Sequence, residues 1–324
     1  EWENYLKKSR ENYDSVSTGY FTKLPSYNAW KDAMTGSNIS DSWVDQNTND
    51  QNTLLDPDNG TTTDQVKELS NWTAAVLNEI ANELGIQDQV GKYSVTKGSI
   101  GDATEVANIT ARNSQSGGGH YLYGLNQAAY DYGLTNNTNF VNDNYKDHTY
   151  TSNPFGESMM SASVSDYNKF SIAAAKEQIL KGISSMLTED ADQNMGHATS
   201  ILGMNGLMSS DYSHPDVNEK GQILGVSISG NANNPDKQYN GGAISVHIIN
   251  TDVAAADPSL ATNEAMADKL SSKQMNVKVD NPYDDLATTK ANLESQLASA
   301  KADLTAKTDA LTSAQTAASN AQTA

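Results

Sequence analysis

The feature that most restricts this chain lies in its last forty residues. From about Asp285 onward the sequence is built almost entirely from Ala, Lys, Asp, Thr, Leu, Ser and Gln, with no Gly or Pro. Leu286, Leu293 and Ala300 recur every seven residues, and Leu297, Leu304 and Leu311 recur in the offset register. Leu293, Leu297, Ala300, Leu304 and Leu311 therefore form a heptad seam, interrupted at Lys307. Such a helix cannot bury its own stripe, so it needs a partner. The N-terminus carries a second seam at alternating spacings of four and three: Trp2, Leu6, Ser9, Tyr13, Val16 and Tyr20. The economical arrangement pairs residues 1–24 with residues 285–324 as an antiparallel coiled-coil stalk, with the middle of the chain at its tip. The alternatives are two lone amphipathic helices, or coiled-coil association with a second chain. The Ala- and Thr-rich tail after Leu311 is expected to fray, because small side chains bury little area.

Composition narrows what the middle can be. Apolar residues make up 37 % of 324, enough for one domain of roughly 150–200 residues plus solvated segments. There is no cysteine, which excludes disulfides, thiolate metal sites and thiol nucleophiles. The net charge of −19 argues against nucleic acid and anionic membranes as partners, since both need a basic face. No apolar run approaches the ~20 residues of a membrane span. The chain starts at Glu1 and is expected to be a fragment of a longer protein.

Residues 25–62 read as an irregular connector rich in Asn, Asp, Ser and Thr, held by Trp30 and Trp43. Within it, Asp56-Pro57-Asp58-Asn59-Gly60 has its glycine at the fifth position rather than the sixth of a calcium loop, and reads as a turn. Thr62 and Gln65 have capping-box spacing ahead of Val66, Leu69, Trp72, Val76, Ile80 and Leu84, which lie at helical spacing up to Gly85. Further helices are expected over about 101–113, 122–132 and 165–187. Short Ile-, Val- and Ser-rich segments at 198–203, 223–229 and 243–250 read as strands between Gly-, Asn- and Pro-containing loops. Helices first and strands last imply an α+β domain over 63–250, with an antiparallel sheet covered by helices. Residues 251–284 read as a connector to the C-terminal helix.

Two of the five histidines have suggestive neighbours. His120 follows three glycines in Gly117-Gly118-Gly119-His120-Tyr121-Leu122-Tyr123-Gly124, and His197 lies in Met195-Gly196-His197-Ala198-Thr199-Ser200. Glycine beside histidine permits close approach of a ligand or a neighbouring backbone. Between them stands Asn153-Pro154-Phe155-Gly156-Glu157-Ser158. His148 and His214 fall in loops, and His247 falls on an expected strand. Tyr121, Tyr123, Tyr130 and Tyr132 cluster around His120, either as helical core or as an aromatic rim on a cleft.

The order and spacing of these fragments resemble the CAP superfamily, the cysteine-rich secretory, antigen 5 and pathogenesis-related domains. The helix Val76-Leu77-Asn78-Glu79-Ile80 takes the place of its Leu-Leu-Asn-x-x-Arg motif, without the arginine. His120 matches the histidine of its Gly/Ser-rich turn. Gly156-Glu157-Ser158 matches its Gly-Glu-Asn, and Gly196-His197-Ala198-Thr199-Ser200 its Gly-His-Tyr-Thr-Gln. Within the superfamily the likeness is greatest to surface exclusion proteins of Gram-positive cell walls, through His120-Tyr121-Leu122-Tyr123-Gly124-Leu125-Asn126-Gln127-Ala128-Ala129 and the acidic run from Glu189 into Gly196-His197-Ala198. What the resemblance implies is a three-layer α-β-α sandwich on a coiled-coil stalk, with a cleft of two histidines and two glutamates.

Carried over residue by residue, the histidines are His120 and His197, which also become the implied metal ligands, and one glutamate is Glu157. The second glutamate has two candidates, Glu177 and Glu189. Two imidazoles suit zinc or another divalent metal, and a carboxylate such as Glu157 can orient or deprotonate a bound water. Two protein ligands nevertheless fall short of the three usual in catalytic zinc sites. The expected function is therefore that of a cell-surface module in surface exclusion during conjugation or in adhesion. Its partner would be a surface protein or cell-envelope component of another cell. The alternative is a metal-dependent, protease-like hydrolase using the same cleft. No His-Glu-x-x-His, Gly-x-Ser-x-Gly or phosphate-loop motif is present.

Overall fold

The computed structural model describes residues 45–56, 59–83, 87–112, 122–134, 157–160, 170–188, 201–202, 223–230, 245–250, 263–284 and 286–323. Within these the chain is mostly helical, with one small antiparallel sheet. In order the elements are α1 (Thr48–Asn52), α2 (Thr63–Glu83), α3 (Gln87–Val90), α4 (Lys97–Arg112), α5 (Leu122–Asp131), β1 (Glu157–Met160), α6 (Ile172–Thr188), β2 (Leu224–Ile228), β3 (Ser245–Asn250), α7 (Glu264–Ser272) and α8 (Leu286–Thr323). A folded unit ends at Asn281, and Pro282–Ala324 form a second unit.

Local chemistry sets where the helices begin. The Thr62 backbone N–H donates to Gln65 Oε1 at 2.9 Å and the Gln65 N–H donates to Thr62 Oγ1 at 3.3 Å, the reciprocal capping box read from the sequence. Helix α4 starts a turn earlier than expected because Thr96 and Ser99 make a similar pair, each N–H donating to the other's hydroxyl at 2.9 Å. Its two early glycines are no breakers. They sit where a Cβ would lie 2.3 Å from Met275 Sδ at Gly98 and 2.5 Å from the Tyr132 hydroxyl at Gly101. Helix α6 starts later than expected, at Ile172. Ser171 forms a bridge with Leu54, and its hydroxyl accepts from the Ala174 N–H at 3.2 Å, as an N-cap does. The Asp56–Gly60 segment is a turn, with the Gly60 N–H donating to Asp56 O at 2.7 Å.

The sheet has the order β1-β3-β2, and both pairings are antiparallel. Strand β2 is fully buried. Leu224, Val226 and Ile228 join one core with Val66, Leu69 and Leu77 of α2 and Ile172, Ile179 and Ile183 of α6. Gly225 meets α4 instead: a Cβ there would lie 2.1 Å from Ser99 O. Helices α4 and α5 share Ala103, Val106, Leu125 and Ala128.

Three expectations are corrected. Residues 198–203 were expected as a strand, but Ile201 is helical and Leu202 lies in a turn, both buried against α2. A short run of Ile, Leu and Ser suits either state, and packing decides between them. The connector expected over 25–62 contains α1, capped by Asn47, and buries Leu55. The connector expected over 251–284 contains α7, and its described residues 263–281 belong to the folded unit. Met266 and Met275 pack with Ala129 and Leu134, the Val279 N–H donates to Val95 O at 2.9 Å, and Asn281 Nδ2 donates to Asn71 O at 3.1 Å. Trp30, Trp43 and residues 1–24 lie outside the described residues.

Helix α8 forms as the heptads require and continues to Thr323, beyond the point where fraying was expected. Leu293, Leu297, Leu304 and Leu311 are 55–66 % exposed.

Candidate functional site

Strand β1 brings one expected site residue into a defined position. Glu157 is its first residue and pairs with Ile248 of β3, which in turn pairs with Val226 of β2. Ser158, His247 and Ser227 make the adjacent row. This strand was not anticipated, because four residues offer no readable alternation. Glu177 lies half-buried on α6, in the first half of the helix. His120, His197 and Glu189 lie outside the described residues. Among the described residues no group of three His, Asp or Glu side chains is arranged to hold a metal ion.

Sequence reasoning passed over two buried charge clusters. The first centres on Lys176, which is 2 % exposed. Its ammonium donates to Asp50 Oδ2 and Glu68 Oε1, each at 2.6 Å, and stands 4.0 Å from Asp45 Oδ2 and 5.8 Å from the Trp72 ring centroid. Asp45 comes from the segment before α1, Asp50 from α1 and Glu68 from α2, so one cation ties these segments to α6. Burial raises the Asp50 carboxyl above its ordinary value; the hydrogen bond from Lys176 opposes this and Asp45 adds to it. The signal was legible, since Lys176 occupies a place in the apolar stripe Ile172, Lys176, Ile179, Ile183 and Leu187. A lysine there has to be paired.

The second cluster centres on Asp102, which is 1 % exposed on α4. Its Oδ1 has no hydrogen-bond partner. Glu105 on the same helix and Asp131 and Tyr132 at the end of α5 are its charged and titratable neighbours. Helix α7 closes over this corner. Lys269 Nζ lies 3.3 Å from the Tyr130 ring centroid and donates to Tyr130 O at 2.8 Å, and Lys273 Nζ lies 4.6 Å from the Tyr132 ring centroid. Tyr130 and Tyr132 thus serve the packing of the end of α5 against α7, as core rather than as the rim of a cleft.

A crevice lined in part by Leu77, Asn78, Tyr93 and Leu202 has room for about one water. Asn78 accepts from the Tyr93 N–H at 2.7 Å and donates to Tyr93 O at 3.1 Å.

Neither a protein-family model nor a curated protein matches the chain. Among solved structures it is similar to the CAP domain of Enterococcal PrgA, with a TM-score of 0.50 and 21 % identity, over 73 % of this chain and 82 % of that one. The likeness is one of fold, and it agrees with the CAP resemblance carried by the sequence motifs. Among the described residues no helix is long and apolar enough to cross a membrane.

Proposed function

We propose that this chain is part of a bacterial cell-surface protein that presents a CAP-like domain on a coiled-coil stalk. It acts in surface exclusion during conjugation, or in adhesion, by meeting a surface protein or envelope component of another cell. The observation that carries this reading is the fold likeness to the CAP domain of Enterococcal PrgA. The exposed leucine seam of the 38-residue helix α8 supports the stalk. Packing of α2 and α6 on Leu224, Val226 and Ile228, and of α4 on Gly225, supports the reading of a three-layer α-β-α sandwich.

The test compares host cells carrying the full-length protein with cells from which it is deleted, as recipients in matings and in cell–cell adhesion. Carriers are expected to receive fewer plasmids or to adhere differently. Equal mating frequency and equal adhesion reject the function.

The proposal extends to a polar cleft holding His120, Glu157 and His197, with Glu177 or Glu189 as the second glutamate. Two imidazoles and a carboxylate are donors that zinc accepts. A divalent ion held by His120 and His197 would supply Lewis acidity, and Glu157 would orient or deprotonate a water. Calorimetric titration with zinc is expected to give binding that is lost in the His120→Ala/His197→Ala double variant, with circular dichroism confirming the fold. Equal binding by both proteins removes the site. Peptide hydrolysis abolished by Glu157→Gln would favour the hydrolase reading.

A further inference from the structure

Asp102 is a carboxylic acid sealed into a joint between three helices, with one oxygen left bare. It sits in the second turn of α4, where α4 meets the end of α5; α7 packs on that end of α5, and the turn after α7 brings Met275 against Gly98 of α4. Contact there is tight, since the Tyr132 hydroxyl lies where a Cβ on Gly101 would fall. The charged groups acting on Asp102 are both acids, Glu105 from its own helix and Asp131 from α5. Lys269 of α7 is engaged on Tyr130, and Lys273, just after α7, on the Tyr132 ring. Strand β2, which also packs on α4, carries no titratable residue, and Glu68 of α2 is held by Lys176. Strand β3 carries His247 at the register position of Ser227. Among the described residues no cation pairs with Asp102. Burying an ionised carboxylate without a paired cation is costly, so the neutral form is favoured.

We propose that Asp102 is held as the neutral acid, and that it makes the α4–α5–α7 joint a proton-dependent clamp that loosens in alkaline medium. Burial first, then Glu105 and Asp131, pushes its carboxyl up to about 8. Burial, then Asp102, Glu105 and Asp131, pushes the Tyr132 phenol up to about 12, so it stays neutral alongside. The sign follows from linkage. The unfolded chain releases this proton near the ordinary value of 3.8, while the folded chain keeps it to about 8. Folding therefore takes up one proton between these limits, and the stability present below pH 3.8 is lost as the pH rises through that window. Above it the joint carries a bare charge.

The direct test is a carbon-detected NMR titration of the full chain labelled with 13C-aspartate. One carboxyl is expected to titrate near pH 8 and to be missing from Asp102→Asn. Urea unfolding supplies the second reading: the ratio of wild-type to variant unfolding constants should rise about tenfold per pH unit between about 4 and 8. Amide exchange corrected for intrinsic rate should accelerate above pH 8 in residues 122–134 and 264–272 of the wild type, and not in the variant. Should Asp102→Asn not fold, Asp102→Ser takes its place, and sequential assignment of the wild-type signal stands without either. The proposal is overturned if every aspartate titrates below pH 6, if the ratio of unfolding constants is flat, or if exchange accelerates equally across the whole domain.

Discussion

Lys176 is the one buried cation among the described residues, and three carboxylates surround it. Breaking a buried pair by removing one partner leaves the other charges uncompensated, which costs about 3–5 kcal/mol. Glu68 keeps 31 % of its side chain in solvent and can be partly rehydrated, which pulls the cost toward the lower end. Lys176→Met is therefore expected to destabilise by about 3 kcal/mol in urea unfolding near neutral pH. Burial already raises the Asp50 carboxyl, and removing the ammonium raises it further. The folded variant will hold a proton there that the unfolded chain has released, so its stability falls as the pH rises out of the carboxylate range. The loss should accordingly be smaller at pH 5 than at pH 8. An equal loss at both would mean that the lysine acts through packing rather than charge.

At the scale of elements, the outer edge of β2 explains much of how the domain closes. Leu224, Val226 and Ile228 turn their backbone groups away from β3. The Leu224 N–H donates to Ser94 O at 2.9 Å, and Ser99 Oγ donates to Leu224 O at 2.7 Å. The Val226 N–H donates to Ser70 Oγ at 2.8 Å, while the hydroxyl proton of Ser70 goes to Val66 O at 2.6 Å. The Ile228 N–H donates to Thr61 Oγ1 at 3.0 Å, and the Thr61 N–H returns to Ile228 O at 3.1 Å. The hydroxyls of Ser70 on α2, Ser99 on α4 and Thr61 ahead of α2 thus finish an edge that would otherwise invite another strand. The same closeness makes Gly225 obligatory. A Cβ there would meet the Ser99 carbonyl oxygen at 2.1 Å and its carbon at 2.8 Å, backbone atoms that cannot rotate aside. Gly225→Ala is expected to lift α4 from the sheet and to cost about 1–3 kcal/mol, read by denaturant unfolding. A variant as stable as wild type would show that the helix slides freely over β2.

For the whole molecule, the outstanding question is what covers the leucine seam of α8. Its hydroxyl residues accommodate themselves: Thr305, Thr308, Thr312 and Thr316 each donate to the carbonyl four residues back. The leucines have no such recourse. If residues 1–24 cover them as the proposed stalk requires, deleting those residues should lower the melting temperature of the α8 helical signal in circular dichroism, with the protein remaining a monomer in sedimentation. Unchanged melting rejects the intramolecular pairing, and a dimer that persists in both forms assigns the seam to a second chain.

Periodicity and capping were readable from the residues alone. The Thr62–Gln65 box, the stripe of α2, the end of α5 before Gly133 and the helical state of α8 all appear in the structure as local chemistry requires. The order of motifs was readable too, and the CAP resemblance it carried agrees with the fold likeness to the CAP domain of Enterococcal PrgA. These signals are short-range, set by side chains three, four or seven residues apart. What only tertiary structure decided is long-range. Glu157 opens a strand because β3 arrives beside it. Residues 263–281 join the domain because Met266 and Met275 find Ala129 and Leu134. Lys176 and Asp102 acquire their character from carboxylates and rings far away in sequence. A single chain position carries no record of which distant neighbour will remove its water, and it is that removal which turns an ordinary lysine or aspartate into a buried charge.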